Sequence, residues 1–426
     1  MSFPNGNVYA NLIRDYPSWE ALKVHLTGDG LRLRVDDSGC TPDSPYALIR
    51  YVKGISNMES PVVRAFRSVV WDTLENRPVC ATSWKSASGE SVPETPFRSE
   101  DGTPNFTIEH FPDGTLIGMF WDKYSSSWRI HTRSVLNARS RFYSQTKTFA
   151  QMFEEAHVDH SVLDKTRCYT WVLQHPENRI VCATPVPKAL LVDVATIGAD
   201  NSLTWHPSSQ VLPATGLADW NAVRARVGEW NTRFRHNCQG LVIKASDGRR
   251  WKLRCEEYNA AHQLRGNSPR LDFLYLNRWR TDTLNTYLAI YPEERHAANA
   301  VISQWKAVTT SVYHIYCDVF KGRTLPKTEI LPKYRPLVYG LHSLYLNTLK
   351  PAGKTVDWKA CLEWMNGRDT PQMLFVINWD YRMVARALER PAEIPVEPSV
   401  AAASTTIAAV EEESAPVAAA EASSTA

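Results

Sequence analysis

The stretch that decides the fold is Gln239-Gly240-Leu241-Val242-Ile243-Lys244 followed by Arg250-Trp251-Lys252-Leu253-Arg254. Apolar and charged residues alternate in the second run, the period of a strand with one face buried. The turn Ser246-Asp247-Gly248 joins the two runs and predicts a β-hairpin. Further strands precede it. Val69-Val70-Trp71-Asp72 and Pro78-Val79-Cys80-Ala81-Thr82 flank the turn Glu75-Asn76-Arg77 and read as a second hairpin. Thr115–Trp121 and Trp128–Arg133 form another pair, and Leu190–Ala195 a further strand. The segments Phe149–Ala156 and Trp220–Phe234 read as helices between them.

From about Glu256 the pattern changes. Val301, Trp305, Val308, Val312, Ile315 and Val319 recur at steps of three and four, one face of a long helix. Leu284, Leu288 and Tyr291 repeat that spacing, and Leu374, Ile377 and Tyr381 suggest one more helix ending near Glu389. From Pro391 onward the chain is rich in Ala, Ser, Pro, Glu and Thr and has no aromatic residue, the composition of a disordered tail. The expected organisation is therefore α+β: a sheet-rich domain over 1–260, an all-helical domain over 261–390 and a tail over 391–426.

Composition narrows the function classes. The 426 residues contain no apolar run long enough for a membrane span, and Met1–Asn7 does not read as a secretory signal. The eight cysteines are scattered without a C-x-x-C pair, which argues against a zinc knuckle and for reduced thiols in a cytoplasmic or other reducing compartment. The tail carries six acids and no Lys or Arg, so residues 1–390 hold 48 basic against 39 acidic side chains. A basic body suits a polyanionic partner. The sequence assigns no oligomeric state.

Four short elements carry the chemistry, in order. They are Asp122-Lys123-Tyr124-Ser125-Ser126-Ser127, then His175-Pro176-Glu177-Asn178-Arg179-Ile180-Val181, then Gln239–Lys244, then Trp251-Lys252-Leu253-Arg254. Their order and spacing resemble the covalent nucleotidyltransferases, and more narrowly the RNA ligase 1 family of bacteriophage T4, over roughly Arg64 to Tyr258. The resemblance implies a nucleotidyltransferase core of antiparallel sheets with flanking helices. It also implies ATP and Mg²⁺ as cofactors and RNA as partner, with tRNA one candidate.

In that family a lysine attacks the α-phosphate of ATP, and Lys123 is the expected nucleophile. A lysine must lose its proton to attack, so its pKa has to fall well below ~10.4. The same resemblance makes Lys244, Lys252 and Arg254 phosphate ligands, adds Arg67 and Lys85 upstream, puts Trp171 against adenine and gives Gln239 a polar role. Each has a plainer reading as a surface charge or a core tryptophan.

The chain departs from the family pattern Lys-x-Asp-Gly-Ser, having Lys123-Tyr124-Ser125-Ser126-Ser127. Acids expected later in the pattern fall on Val172 and Gln239. Two functions are therefore expected: an ATP-dependent RNA ligase working through lysyl-AMP, or a ligase-fold protein that binds nucleotide or RNA without ligation. In the helical domain Arg265, Arg270, Arg278, Arg280, Lys306, Lys321, Lys327, Lys333 and Arg335 are candidates for RNA phosphates or for a solvated helix face.

Overall fold

A computed structural model describes residues 5–89, 98, 100, 102, 105–206 and 217–389. The expected tail from Pro391 lies outside the described residues. The chain divides into two compact units, with the division between Pro269 and Arg270.

The first unit contains three sheets. The first is β1 (Arg34–Asp36), β2 (Tyr46–Arg50), β3 (Val69–Asp72) and β4 (Arg77–Ala81), antiparallel throughout. Helices Val8–Asp15 and Trp19–Thr27 bury Tyr9, Leu12, Leu22 and Leu26 in the same core as Val69, Val70 and Trp71. The second sheet orders β5 (Ala87–Ser88), β13 (Arg250–Arg254), β12 (Gly240–Ala245) and β6 (Phe106–His110). The third orders β11 (Leu203–His206), β10 (Lys188–Ile197), β9 (Arg167–Gln174), β7 (Thr115–Asp122) and β8 (Ser127–Thr132). Every pairing is antiparallel except β5 with β13.

The expected hairpins are present. In the second sheet Val242 faces Lys252 and Lys244 faces Arg250, so alternation places the cations Lys244, Arg250, Lys252 and Arg254 on one face. The other face turns Ile243 and Trp251 toward Phe106, and the helix Trp220–Phe234 packs on β12 and β13. The segment Pro176–Asn178 is a 3₁₀ turn. Pro176 cannot donate to a ladder, and the His175 ring accepts from the Glu177 amide to close the turn.

The second unit is helical. The helix Arg295–Tyr316 continues as a π turn, Cys317–Lys321. Its expected face is the one that packs, with Trp305, Val312 and Val319 buried and Val301, Val308 and Ile315 against them. The C-terminal periodicity divides into two helices, Thr370–Ile377 and Trp379–Glu389, because Asn378 leaves the helical range at ψ 12°. Tyr381 is 77% exposed and does not share the buried face. Among the described residues no helix is long and apolar enough to cross a membrane.

Gly240 opens β12 at φ +124°, where a Cβ would collide with the Leu253 carbonyl oxygen of β13. Gly240→Ala is expected to cost roughly 2–3 kcal/mol, through backbone strain and a displaced ladder. Chemical denaturation of the variant measures this, and an unchanged midpoint would show that the hairpin does not need the close approach.

Candidate functional site

The charged face of the second sheet looks across a cleft at the third sheet. Leu116 on β7, Val172 on β9 and Val192 on β10 form an apolar wall, joined by Ile180. The cleft has about 700 Å³ of space open to solvent, and Phe111, Tyr258 and His262 line it as well. A register shift in β10 between Leu191 and Asp193 turns the Asp193 carboxylate toward the cations. It pairs with Lys244 at 3.0 Å and with Arg250, and it accepts from the Ser83 hydroxyl. Burial alone would push the Asp193 carboxyl up, but Arg250 and Lys244 overcome this and hold it at about 2. Lys244 also pairs with Glu109 on β6 at 2.7 Å.

Lys244 and Arg250 are thus balanced. Six neighbours are not: Lys53, Arg67, Lys85, Arg133, Lys252 and Arg254 form no ion pair with a carboxylate among the described residues. The Lys85 ammonium donates to the Ser86 carbonyl oxygen, and Arg133 donates to the Tyr51 carbonyl oxygen. Arg254 lies over the rings of Phe111 and Tyr258, 5.8 Å from each centroid. With its amide oriented to satisfy both ends, Gln239 donates to the Pro112 carbonyl oxygen and accepts from Arg254. Because Gln239 is neutral, the Arg254 charge remains uncompensated.

These cations strain one another. Burial, then Arg254, Lys85, Lys53 and Arg67, bring Lys252 down to about 7. Burial, then Lys53 and Arg67, bring Lys85 to about 8. Burial is also the main reason Arg67 falls to about 10, and Lys53 is lowered in the same way.

The structure therefore brings Arg67, Lys85, Gln239, Lys244, Lys252 and Arg254 to one region. It does not bring Lys123 or Trp171 there. Trp171 shares a cluster with Ile117, Phe149, Met152 and Phe153, because alternation along β9 sends it to the face opposite its neighbour Val172. Lys123 sits in the β7–β8 turn. Leu116 on β7 lines the cleft, and seven residues of extended chain at about 3.3 Å each put Lys123 roughly 23 Å beyond it.

At that distant end Lys123 pairs with the buried Asp72 at 3.3 Å and with Glu75. Burial draws its ammonium down, but Glu75 and Asp72 outweigh this and raise its pKa, which opposes nucleophilic use. The same knot includes Asp122, which accepts from the Tyr46 hydroxyl at 2.7 Å and from the Tyr124 amide. Its task is to join the turns of two sheets.

Sequence reasoning passed over Phe111-Pro112-Asp113-Gly114-Thr115. This segment matches the Asp-Gly-Ser part of the family pattern closely, with Thr for Ser, and the lysine position falls on Phe111. The signal was the Asp-Gly dipeptide directly before a strand. Asp113 accepts from the Tyr258 hydroxyl at 2.6 Å and from the amides of Val181 and Cys182 at 2.9 Å. Gly114, at φ +148°, has no room for a Cβ beside the Leu173 carbonyl.

Four of the candidate cations of the helical unit have internal partners. Arg270 pairs with Asp272 and Lys333 with Asp380, while Lys321 and Arg335 donate to the carbonyl oxygens of Val356 and Ile330.

No family model matches the chain, and no curated protein matches its sequence. Two solved structures to which it is similar are archaeal ATP-dependent RNA ligases, form 1 and form 2. The first is 9% identical at a TM-score of 0.34, over 70% of this chain and 78% of that one. The second is 10% identical at 0.37, over 71% and 82%. These likenesses are weak, and the functional reading rests on the cleft's own geometry.

Lys252 has a folded pKa below its unfolded value. The unfolded chain therefore binds more protons between about pH 7 and ~10.4, and stability rises with pH there. The destabilisation is complete below about pH 7. Lys252→Met should accordingly raise the melting temperature, and more at about pH 6 than at about pH 9. Thermal melts at both pH values check this; an equal shift at both would reject a mutually repelled Lys252.

Proposed function

We propose that the cleft binds the phosphates of a nucleotide such as ATP, and that the chain does so without forming lysyl-AMP at Lys123. The carrying observation is a cluster of six cations without carboxylate partners among the described residues, two of which, Arg67 and Arg254, line a cleft that has an apolar wall. Such a cluster is costly while empty and is relieved by a polyanion, which supplies the missing countercharge. Leu116, Val172, Ile180 and Val192 offer an apolar surface for the base, with Tyr258 and His262 beside it. A 5′-phosphorylated RNA end presents the same phosphate chemistry, and competition with bound ATP tests it.

The ligase reading requires a deprotonated lysine at the α-phosphate. Lys123 lacks the position, and Phe111 lacks the amine. One observation favours covalent transfer nonetheless: Lys252 and Lys85 lie among the cations with pKa values of about 7 and 8. Either amine could attack the α-phosphate, forming a phosphoramide bond and releasing pyrophosphate.

Incubation with ATP labelled at the α-phosphate, followed by denaturation, separates these readings. The expected result is no covalent label, with ATP bound reversibly. Lys123→Ala should leave that affinity unchanged and cost about 1–3 kcal/mol of stability, since the buried Asp72 carboxylate keeps only its hydrogen bonds. Label lost in Lys252→Met or Lys85→Met would establish a transferase using that lysine, and label lost only in Lys123→Ala would overturn the geometric reading.

Binding should also depend on pH. A bound polyphosphate raises the pKa values of Lys252 and Lys85, so ligand binding takes up protons above about pH 7. ATP affinity should fall by about tenfold from pH 6.5 to pH 8.5. Calorimetry in buffers of different ionisation enthalpy reads the uptake directly, and its absence would show that ligand phosphates stay away from these lysines.

A further inference from the structure

The cleft's carboxylates are already committed. Asp193 is held by Lys244, Arg250 and Ser83. Glu109 is held by Lys244. Asp113 is held by Tyr258 and two backbone amides. Among the described residues no group of three or more His, Cys, Asp or Glu side chains could hold a metal ion.

Val172 and Gln239, also in the lining, are neutral, and Gln239 is engaged by Arg254. A divalent cation needs oxygen ligands that are free to turn toward it. Here those oxygens face ammonium and guanidinium groups or, at Asp113, a tyrosine hydroxyl and backbone amides. A protein-bound Mg²⁺ therefore does not fit the donor set of this cleft.

We infer that the cleft recognises a metal-free polyphosphate, with protein cations taking the place of the divalent ion. This rests on the nucleotide-phosphate reading above and goes further, by naming the charge state of the ligand. Lys53, Lys85 and Lys252 are mobile point charges with several donors each, while Arg67, Arg133 and Arg254 offer planar forks for phosphate oxygens. Together they supply the countercharge that Mg²⁺ otherwise lends to a triphosphate. Mg²⁺ bound to ATP would lower the ligand's negative charge and bring a second cation into a positive cleft. It should weaken binding.

The test is calorimetric titration of the full chain with ATP and with inorganic tripolyphosphate, each in excess EDTA and in excess Mg²⁺. Binding of both ligands in EDTA is expected, with ATP about tenfold weaker in Mg²⁺. Lys252→Met should lose about tenfold in affinity for tripolyphosphate in EDTA, with a thermal melt confirming that it folds. Binding of ATP only when Mg²⁺ is present would overturn the inference and leave the nucleotide-phosphate reading standing. Absence of binding for both ligands under both conditions would overturn that reading as well. Tripolyphosphate binding in EDTA that is equal in wild type and Lys252→Met would also overturn it, by placing the anion elsewhere on the surface.

Discussion

Asp193 is the group on which the cleft depends. It reaches from the third sheet to two cations of the second, Lys244 and Arg250, and takes the Ser83 hydroxyl as well. Without it, the charged face of the second sheet would meet the apolar wall of the third with Arg250 unbalanced and Lys244 left to Glu109 alone. A buried carboxylate is itself expensive, and it persists because both partners are close and its oxygens are bonded. The register shift in β10 makes this possible, since unbroken alternation would leave Asp193 differently aimed. Lys244 extends the network to Glu109, so one bulge organises residues from three strands.

That balance stops at Lys244 and Arg250. Beyond them the same side of the cleft gathers Lys53, Lys85, Lys252 and three arginines, and the lysine pKa values fall in response. A protein selected only for stability would place a carboxylate here or export the charge. Gln239 makes the point at a single position: a glutamate could pair with Arg254, while the amide bonds to it and leaves the charge in place. The cost to the fold is the kind that binding sites carry, since a ligand removes it.

Much of the fold was legible because hairpins announce themselves locally. Ser246-Asp247-Gly248 and Glu75-Asn76-Arg77 are turn signals between alternating runs, and the helix Trp220–Phe234 stands where its sequence suggests. Part of the cation set was legible for a related reason, as Lys252 and Arg254 are two residues apart and share a strand face, whereas Lys53 and Arg133 stand in none of the sequence motifs. What the sequence left open was which end of one strand borders the cleft. β7 has Asp113-Gly114 before it and Lys123 after it, and only Lys123 entered the reading of the sequence. Trp171 failed by one residue of alternation. Its partners across the sheet are Ile117 and Leu191, and only Val172 turns to the cleft. Neither error could be seen without the register.

Phe111 carries the last step. It sits where the family pattern has its lysine, yet its ring is in use, lying with Tyr258 against the Arg254 guanidinium. A cation held between two rings keeps its charge and loses freedom, which favours a fixed contact with an anion over a mobile one. A lysine at this position would add a seventh unpaired cation next to Arg254 and remove one of its two aromatic walls. Phe111, Gln239 and Val172 are alike in being uncharged, so none of them balances the cations beside them. On the proposed reading, that leaves the cations free to hold phosphates.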